Sequence, residues 1–494
     1  MKRVLIICLL IALIKSEDEY TDENIMFLKG SLLNSSIYMK EHSVKDNAAI
    51  FVGGGKVGKS TLLNYLIGNE LKAISERGRP ISLRRADNTS EGPIIGGGSV
   101  SNTTVPRKYN SKEFANLSLW DTPGFSDNRG EIQDIINAFY IYQLIKNVDY
   151  LKVVLLFEYS ELVNNSINIF IQVINSLETL LGSEYQDFFE SVTVIFSKVS
   201  PDEDDDYFGF IDYFITSQVL PQKSILHLNN FTVNFLEFLK DHRDHIGFFK
   251  RANRDGPVNS SDIDVNIISA IKKSSRVIGS CLLDLHPSIS ALSKNWLYKA
   301  ANILQSQVEY INLLNNTKPY IENLSKKISE LAKNRNLVEL RAIKRSLRNV
   351  ISIFNRIYKT TDFEETIKLY KTVDDSIKEI IDSNKLLLKI DLLLFVDKLL
   401  ERETNKQILM SLHTILLPTQ DVLNNCICQI ENFLGETERR NCIDELDISK
   451  ARTKRSLDEK KNEIEALNNK STINNLWGIV KQITDDINQL ELTL

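Results

Sequence analysis

The sequence predicts an α/β domain with a mostly parallel sheet, followed by an all-α helical domain. Between residues 46 and 256, short apolar runs alternate with segments of helical periodicity. A glycine-rich loop of the kind that binds phosphate groups follows the first of these runs. Beyond this region helical periodicity prevails. The chain of 494 residues has only 20 glycines and 10 prolines, and its second half is almost free of both, which suits long helices.

Five short apolar runs are the predicted strands of the sheet. Each is followed by a loop and then by a helical pattern, which is the arrangement of parallel strands joined by helices. Such strands are buried on both faces, so helices are expected to cover both sides of the sheet. The runs are Ala49–Val52, Leu117–Trp120, Leu151–Phe157, Val192–Phe196 and Ile246–Phe249. A sixth strand is predicted near Val105–Tyr109, beside the second run.

The end of the α/β domain is predicted at about residue 256, because turn residues cluster in the segment Asn253–Asp264. From 257 to 494, apolar residues recur every three or four positions, which predicts a helical domain. The very polar segment Ser449–Lys470 is typical either of a short coiled coil or of a solvated helix in an antiparallel bundle. Residues 17–45 are predicted to be a polar, partly helical lead-in segment.

Residues 1–16 have the three-part layout of a secretory signal peptide. Lys2 and Arg3 precede an apolar run from Val4 to Ile14, and a polar, acidic stretch follows. The apolar run is too short to span a bilayer comfortably, and no later segment is both long and charge-free enough to do so. The sequence therefore favours a secreted protein or one of the secretory lumen. The alternatives are an uncleaved anchor, or a packed N-terminal helix in a cytoplasmic protein.

If the chain is exported, its cysteines could form disulfides. Cys8 would leave with the signal, and the remaining four cysteines allow three pairings or four ordinary thiols. They are Cys281, Cys426, Cys428 and Cys442. Of the glycosylation sequons, Asn102 is expected in the loop that precedes the sixth strand and Asn116 beside a core strand, and a glycan at either would obstruct the expected phosphate site.

The charge balance argues against one class of partner. The chain has 60 Lys and Arg residues against 65 Asp and Glu residues, a formal net charge of −5. Nucleic-acid binding relies on an excess of basic residues that neutralise phosphates. No nucleic-acid partner is therefore expected.

The loop from Gly53 to Ser60 has the spacing G-x-x-x-x-G-K-[ST]. Its glycines let backbone N–H groups turn toward phosphate groups, and the following helix adds positive potential. Lys59 is predicted to reach the outer phosphates and the Ser60 hydroxyl to coordinate Mg²⁺, whereas a purely structural glycine-rich turn is the alternative. The predicted nucleotide-binding residues here are Gly53, Gly54, Gly55, Lys56, Val57, Gly58, Lys59, Ser60 and Thr61.

A second motif, LSLWDTPGF, begins with the predicted strand Leu117–Trp120 and continues into a turn. Asp121 follows the strand directly, and its carboxylate is suited to a water-mediated contact with Mg²⁺. The backbone N–H of Gly124 is placed to sense a γ-phosphate. A D-x-x-G turn alone is a weak signal, but it gains weight at a strand end some sixty residues after a phosphate loop.

The stretches GKSTLLNYLIG and LWDTPGF resemble the translation-factor-related (TRAFAC) class of P-loop GTPases. They are similar to septin-, immunity-associated- and ribosome-assembly-type G domains, over residues 46–256 only. The resemblance implies a Ras-like G domain, a P-loop NTPase fold that binds GTP with Mg²⁺. It also implies a metal-binding switch threonine between the two motifs. Thr103 and Thr104 are the candidates, and Thr104 is preferred.

The same resemblance implies a guanine-reading [NT]-K-x-D motif after the strand at Val192–Phe196. Ser197 and Lys198 match its first two positions and are expected to contact the base, but Ser200 replaces the aspartate. That aspartate normally accepts hydrogen bonds from guanine, so ATP is an alternative ligand to GTP. The last base loop would fall near Lys250–Ala252, which matches its pattern poorly.

Phe125 occupies the position where Ras-like members have a water-orienting glutamine. An apolar side chain cannot orient water, so slow hydrolysis is expected. The sequence therefore favours a slow, Mg²⁺-dependent GTPase switch coupled to a helical domain, and the resembling groups imply a homodimer through the G domain. An ATPase of the same class and a non-catalytic pseudo-GTPase scaffold are the alternatives.

Overall fold

The computed structural model describes residues 20–75, 81–87, 89–96, 103–125, 129–182, 186–201, 206–278, 285–307, 310–357, 386–401 and 405–435, with a few isolated residues between 359 and 455. The chain divides into two units, named here the α/β unit (Met26–Trp296) and the helical unit (Met1–Ile25 with Leu297–Leu494). The predicted signal peptide lies outside the described residues, as does nearly all of the predicted coiled-coil segment.

The α/β unit contains a mixed, mostly parallel sheet of eight strands. Its strands are β1 (Asn47–Gly53), β4 (Arg107–Asn110), β5 (Ser118–Asp121), β6 (Tyr150–Glu158), β7 (Val192–Val199), β8 (Ile246–Lys250), β10 (Asp264–Val265) and β11 (Val277–Ile278). The spatial order is β10-β8-β7-β6-β1-β5-β4, and β11 pairs with the start of β6. All six predicted strands are therefore confirmed, and the predicted parallel pairing holds for β5-β1-β6-β7-β8.

Helices cover both faces of this sheet. One face packs against α1 (Asp22–His42), α3 (Glu131–Asn147), α5 (Ile167–Leu181), α6 (Tyr207–Tyr213) and α7 (Asn230–Asp241). The other face packs against α2 (Lys59–Ile67), α8 (Ser260–Ile263) and α9 (Ile267–Lys273). A short helix α4 (Tyr159–Val163) follows β6. Adjacent residues of β1 point to opposite faces of the sheet: Ile50 packs in the core on the first face and Phe51 in the core on the other.

The predicted lead-in segment contains α1, which is more than a connector. Its buried residues include Leu28, Leu32 and Met39, and Met39 belongs to the core of the α/β unit. Asp46, between α1 and β1, accepts hydrogen bonds from the Ser118 hydroxyl and the buried Trp120 indole N–H, each at 2.8 Å. The segment is thus tied to β5, the strand that pairs with β1.

The α/β unit extends past the predicted boundary at residue 256. A second sheet, antiparallel and in the order β3-β2-β9, pairs β2 (Leu71–Ile74) with β3 (Ser82–Arg85) and β9 (Gly256–Pro257). The two-residue strands β10 and β11 also come after 256 and join the larger sheet. Turn residues near 256 therefore mark a surface loop inside the unit, and the unit ends at Trp296.

The described residues of the helical unit are helices and turns. The helices are α10 (Ala291–Gln307, which begins in the α/β unit), α11 (Tyr310–Lys333), α12 (Leu337–Ile357), α13 (Leu386–Leu399) and α14 (Asn405–Leu434). Within this unit Glu431 of α14 forms ion pairs with Arg348 and Lys344 of α12. Cys426 and Cys428 are buried thiols of α14, and burial raises the pKa of Cys426 to about 12. Cys281 and Cys442 lie outside the described residues.

Two further observations bear on export. In the part of the chain that the structure describes, no helix has the length and apolarity needed to cross a membrane. Asn116 is exposed and precedes β5, whose other end carries Asp121. A glycan on Asn116 would thus sit at the far end of the strand, so the expected obstruction of the site by this sequon is wrong. Asn102 lies outside the described residues.

Candidate functional site

The glycine-rich loop leaves the carboxyl end of β1 and leads into α2. Gly53 has φ +147° and Gly58 has φ +94°, backbone conformations that favour glycine. A Cβ on Gly53 would lie 2.4 Å from the carbonyl oxygen of Leu156 on the adjacent strand β6. Glycine at this position is therefore a requirement of the close approach between the loop and the sheet.

Lys59 begins α2 and folds back over this loop. Its side chain is buried, and Nζ donates hydrogen bonds to the carbonyl oxygens of Gly54 at 2.8 Å and Gly53 at 3.3 Å. Backbone N–H groups at the start of a helix lack partners within the helix and attract anions. The ammonium and the helix N-terminus thus provide, at one place, the two features that bind phosphate. Of the other predicted loop residues, Gly55 and Lys56 are exposed, Val57 is buried and Thr61 is half-buried.

Three oxygen-bearing side chains meet beside the loop. The Ser60 hydroxyl donates to the Asp121 carboxylate, at 3.2 Å from Oδ2 and 3.4 Å from Oδ1. The Thr103 hydroxyl donates to the same Oδ2 at 3.0 Å. Ser60 and Asp121 come together because β5 runs parallel to β1, so both strands end at the same edge of the sheet. One carboxylate with two hydroxyls is a hard-oxygen set that fits Mg²⁺, which usually keeps several water ligands as well.

Thr103 is the threonine at this cluster, because its hydroxyl makes the hydrogen bond to Asp121. Thr104, the candidate that the sequence favoured, is exposed. Burial raises the pKa of the Asp121 carboxyl above its ordinary value, although Lys59 and the two hydroxyls act in the opposite direction. A cation near a buried carboxyl favours its ionised form. A bound Mg²⁺ would therefore offset the energetic cost of the buried negative charge on Asp121.

The D-x-x-G segment packs against the glycine-rich loop. The Phe125 backbone N–H donates to the Gly53 carbonyl at 2.9 Å, and the Thr122 hydroxyl donates to the Phe51 carbonyl at 2.6 Å. A Cβ on Gly124 would lie 3.0 Å from the Gly55 nitrogen, so the two loops touch through their backbones. The Phe125 side chain is only 5% exposed and belongs to the core. The position after Gly124 consequently presents no polar group to the site.

The predicted base-contacting residues, Ser197 and Lys198, lie within β7, just before its end at Val199. Ser197 is fully buried, and its hydroxyl contacts the carbonyl oxygens of Val57 in the phosphate loop and Phe157 in β6. Ser197 thus links three elements and its side chain is not exposed. Lys198 has φ +56°, at a bulge in β7, and its Nζ lies 2.5 Å from Glu158 Oε2.

Glu158 is the centre of a charged cluster at this edge. Arg251 lies 3.9 Å from its Oε1, and the Ser160 hydroxyl donates to the same oxygen at 2.7 Å. Burial opposes ionisation, but the hydrogen bonds from Lys198 and Ser160 hold the pKa of Glu158 below its ordinary value. Glu158 is therefore an ionised carboxylate that anchors Lys198.

The carbonyl of Ser200 accepts a hydrogen bond from the Tyr207 hydroxyl at 2.9 Å. In the predicted last base loop, the Lys250 ammonium lies 5.9 Å from the centre of the Tyr207 ring, and the Arg251 backbone N–H donates to the Val199 carbonyl at 2.8 Å. The ends of β7 and β8 are thereby held together. Asp202, the carboxylate nearest in sequence to Ser200, lies outside the described residues.

Two charged residues near the candidate site, Glu158 and Arg129, were not predicted from the sequence. Glu158 directly ends the longest buried strand, a position that could have identified it. Arg129 follows the D-x-x-G segment, and its Nη2 donates to the Thr103 carbonyl oxygen at 3.0 Å. That contact joins segments distant in sequence, and no local pattern signals it.

Comparison with known proteins adds no relative: no protein-family model matches the chain, and a search of the curated proteins found no matching sequence.

Proposed function

We propose that the α/β unit is a P-loop NTPase domain of the Ras-like G type, which binds a guanine nucleotide with Mg²⁺ and hydrolyses it slowly. The observation that carries this proposal is the meeting of Lys59, Ser60 and Asp121 at the carboxyl ends of β1 and β5. Titration of the purified full chain with Mg-GTP and Mg-ATP tests it. In this function the nucleotide state of the α/β unit acts as a switch for the helical domain.

Each part of the site has a role in this proposal. The loop N–H groups and Lys59 hold the β- and γ-phosphates. Ser60 would coordinate Mg²⁺ directly and Asp121 through water, while the structure favours Thr103 over Thr104 as the switch threonine. When bound, Mg²⁺ neutralises phosphate charge. Ser197 fixes the base-side strand to the phosphate loop, and Lys198 provides the side chain beside the base.

The missing base-reading carboxylate supports relaxed base selectivity, with an ATPase as the second candidate. We expect Ser200→Asp to increase the preference for GTP over ATP by about ten- to a hundredfold, because a charge-assisted hydrogen bond contributes roughly 1.5–3 kcal/mol. Ser200→Asn is the matched control, because asparagine has the shape of aspartate without its charge. This variant should change selectivity far less. Competition between the two nucleotides measures the ratio. Strong GTP selectivity in the parent would show that another residue reads the base.

The buried Phe125 supports slow turnover, and with it the third candidate, a non-catalytic scaffold. Single-turnover hydrolysis separates a GTPase from a scaffold, because both bind nucleotide and only one releases phosphate. The similarity to septin- and immunity-associated-type domains further supports a homodimer through the G domain. Measuring the molar mass with and without nucleotide tests that partner.

For localisation, the layout of residues 1–16 supports a cleaved signal peptide and entry into the secretory lumen. We expect the mature chain to begin close to Glu17 when it is expressed in a eukaryotic secretory system. N-terminal sequencing of the purified protein measures this. Intact residues 1–16 in a cytosolic fraction would contradict the proposal and favour a cytoplasmic protein.

A further inference from the structure

Arg129 is linked through one residue, Thr103, to the predicted metal carboxylate Asp121. Its Nη2 donates to the Thr103 carbonyl at 3.0 Å, and the Thr103 hydroxyl donates to Asp121 Oδ2 at 3.0 Å. Asp121 in turn accepts from Ser60, the residue after Lys59. A guanidinium is therefore connected through Thr103 to the part of the site where the terminal phosphate and Mg²⁺ are expected.

The position that would usually orient water has no polar side chain. Phe125 is buried in the core, and it follows Gly124 directly. Lys59 already approaches the loop carbonyls from the α2 side. A second protein cation for the terminal phosphate, besides Lys59, would have to come from another element, and Arg129 lies just before α3.

The chemistry of hydrolysis gives a reason for a guanidinium at this place. A water oxygen forms a bond to the γ-phosphorus while the bond to the β–γ bridging oxygen breaks. GDP leaves with that electron pair, the water proton ends on the products, and nothing is oxidised or reduced. Negative charge spreads over the leaving and equatorial oxygens in the transition state. A planar guanidinium with five N–H donors fits such oxygens, and it can contact Thr103 as well.

We propose that Arg129 is a catalytic residue, which contacts the γ-phosphate of bound GTP and stabilises the transition state of hydrolysis from within the same chain. The inference rests on the proposed function. Arg129 would contribute by stabilising charge, whereas the glutamine that Phe125 replaces would contribute by orienting water. Switch proteins with an arginine in the same chain turn over at about 10⁻² s⁻¹, and those without one or a partner at roughly 10⁻⁴ s⁻¹.

The test is single-turnover hydrolysis of Mg-GTP by the full chain, in the parent, Arg129→Ala, Arg129→Lys and Arg107→Ala. Arg107 pairs in register with Asp121 across β4 and β5, is exposed, and controls for loss of one positive charge near that carboxylate. We expect Arg129→Ala to be slower by about a hundredfold or more. Arg129→Lys should recover little, because an ammonium lacks the planar fork, and Arg107→Ala should stay within about threefold of the parent.

GDP affinity and binding of Mg-GDP with aluminium fluoride, a mimic of the transferring phosphoryl group, provide the second readout. Arg129→Ala should keep the affinity for GDP and lose the aluminium fluoride complex. Turnover of this variant within about threefold of the parent would overturn the inference, and so would an equal loss of GDP affinity, which indicates a structural role. A parent that binds GTP without hydrolysing it also overturns the inference, but leaves nucleotide binding intact. A parent that binds no nucleotide contradicts the proposed function itself.

Discussion

Lys59→Ala should abolish tight nucleotide binding, with a loss of affinity of about a hundredfold or more, equivalent to roughly 3 kcal/mol. Lys59 is the buried cation beside the loop, and its hydrogen bonds to Gly53 and Gly54 would be exchanged for contacts with phosphate oxygens. Alanine is a good helix former, so the start of α2 should persist. Isothermal titration with Mg-GTP measures the loss.

The same loop contains the matched control. The predicted contact of Lys56 with phosphate is through its backbone N–H, which Lys56→Ala keeps. Its side chain is exposed and the residue already adopts a positive φ of +63°, so the variant removes an equal charge without a change in backbone class. Its affinity should remain within about threefold of the parent, since an exposed charge is strongly screened. Undiminished affinity in Lys59→Ala, or equal losses in both variants, would contradict the role given to Lys59.

Ser60→Ala should remove most of the dependence of nucleotide binding on Mg²⁺. In the parent, chelation of the metal should weaken GTP binding by about ten- to a hundredfold, because the metal bridges phosphate oxygens and the protein. Without the Ser60 hydroxyl, binding with Mg²⁺ should fall to the level measured with chelator. The experiment is a pair of GTP titrations for each protein, one with Mg²⁺ and one with EDTA.

Ser60→Thr is the conservative control, since it keeps the hydroxyl that donates to Asp121 and satisfies the same loop pattern. It should retain the Mg²⁺ dependence. Asp121→Asn provides an independent variant of the same cluster and should reduce that dependence as well. If Ser60→Ala responded to Mg²⁺ as strongly as the parent, the metal site would have been placed on the wrong side chains.

The central strands were predictable because burial on both faces leaves nearly continuous apolar runs. Residues 151–157 of β6 are buried, and the sequence shows only one charge, Lys152, in that run. The parallel pairing followed from the helical segments between the runs. The glycine-rich loop was predictable for a different reason, because local backbone conformation requires glycine at Gly53 and Gly58.

The late strands were not predictable from local sequence. β9, β10 and β11 have two residues each and depend on partners far away in the chain, such as Lys72 and Ala73 for β9. Two residues show no periodicity, so the cluster of turn residues was interpreted as a domain boundary. The unit continues to Trp296 because tertiary pairing, and not local composition, defines its end.

Some residues of the candidate site were likewise predictable from local sequence, and others were not. Lys59 and Ser60 belong to one sequence motif and Asp121 to another. The spacing within each motif reflects a single strand and the loop that follows it. The choice between Thr103 and Thr104 depends on a hydrogen bond across 18 residues, and the contact of Arg129 with Thr103 spans 26. Spacing within a motif cannot report such contacts, because loop conformation determines which of two adjacent side chains faces the carboxylate.

The most direct test of nucleotide binding is isothermal titration of the purified full chain with Mg-GTP and, separately, with Mg-ATP, after circular dichroism has verified the fold. We expect one nucleotide per chain with a Kd of about 1 µM or tighter, equivalent to roughly 8 kcal/mol, and a Kd weaker by about a hundredfold or more for Lys59→Ala. A folded parent that binds neither nucleotide at millimolar concentration would contradict it.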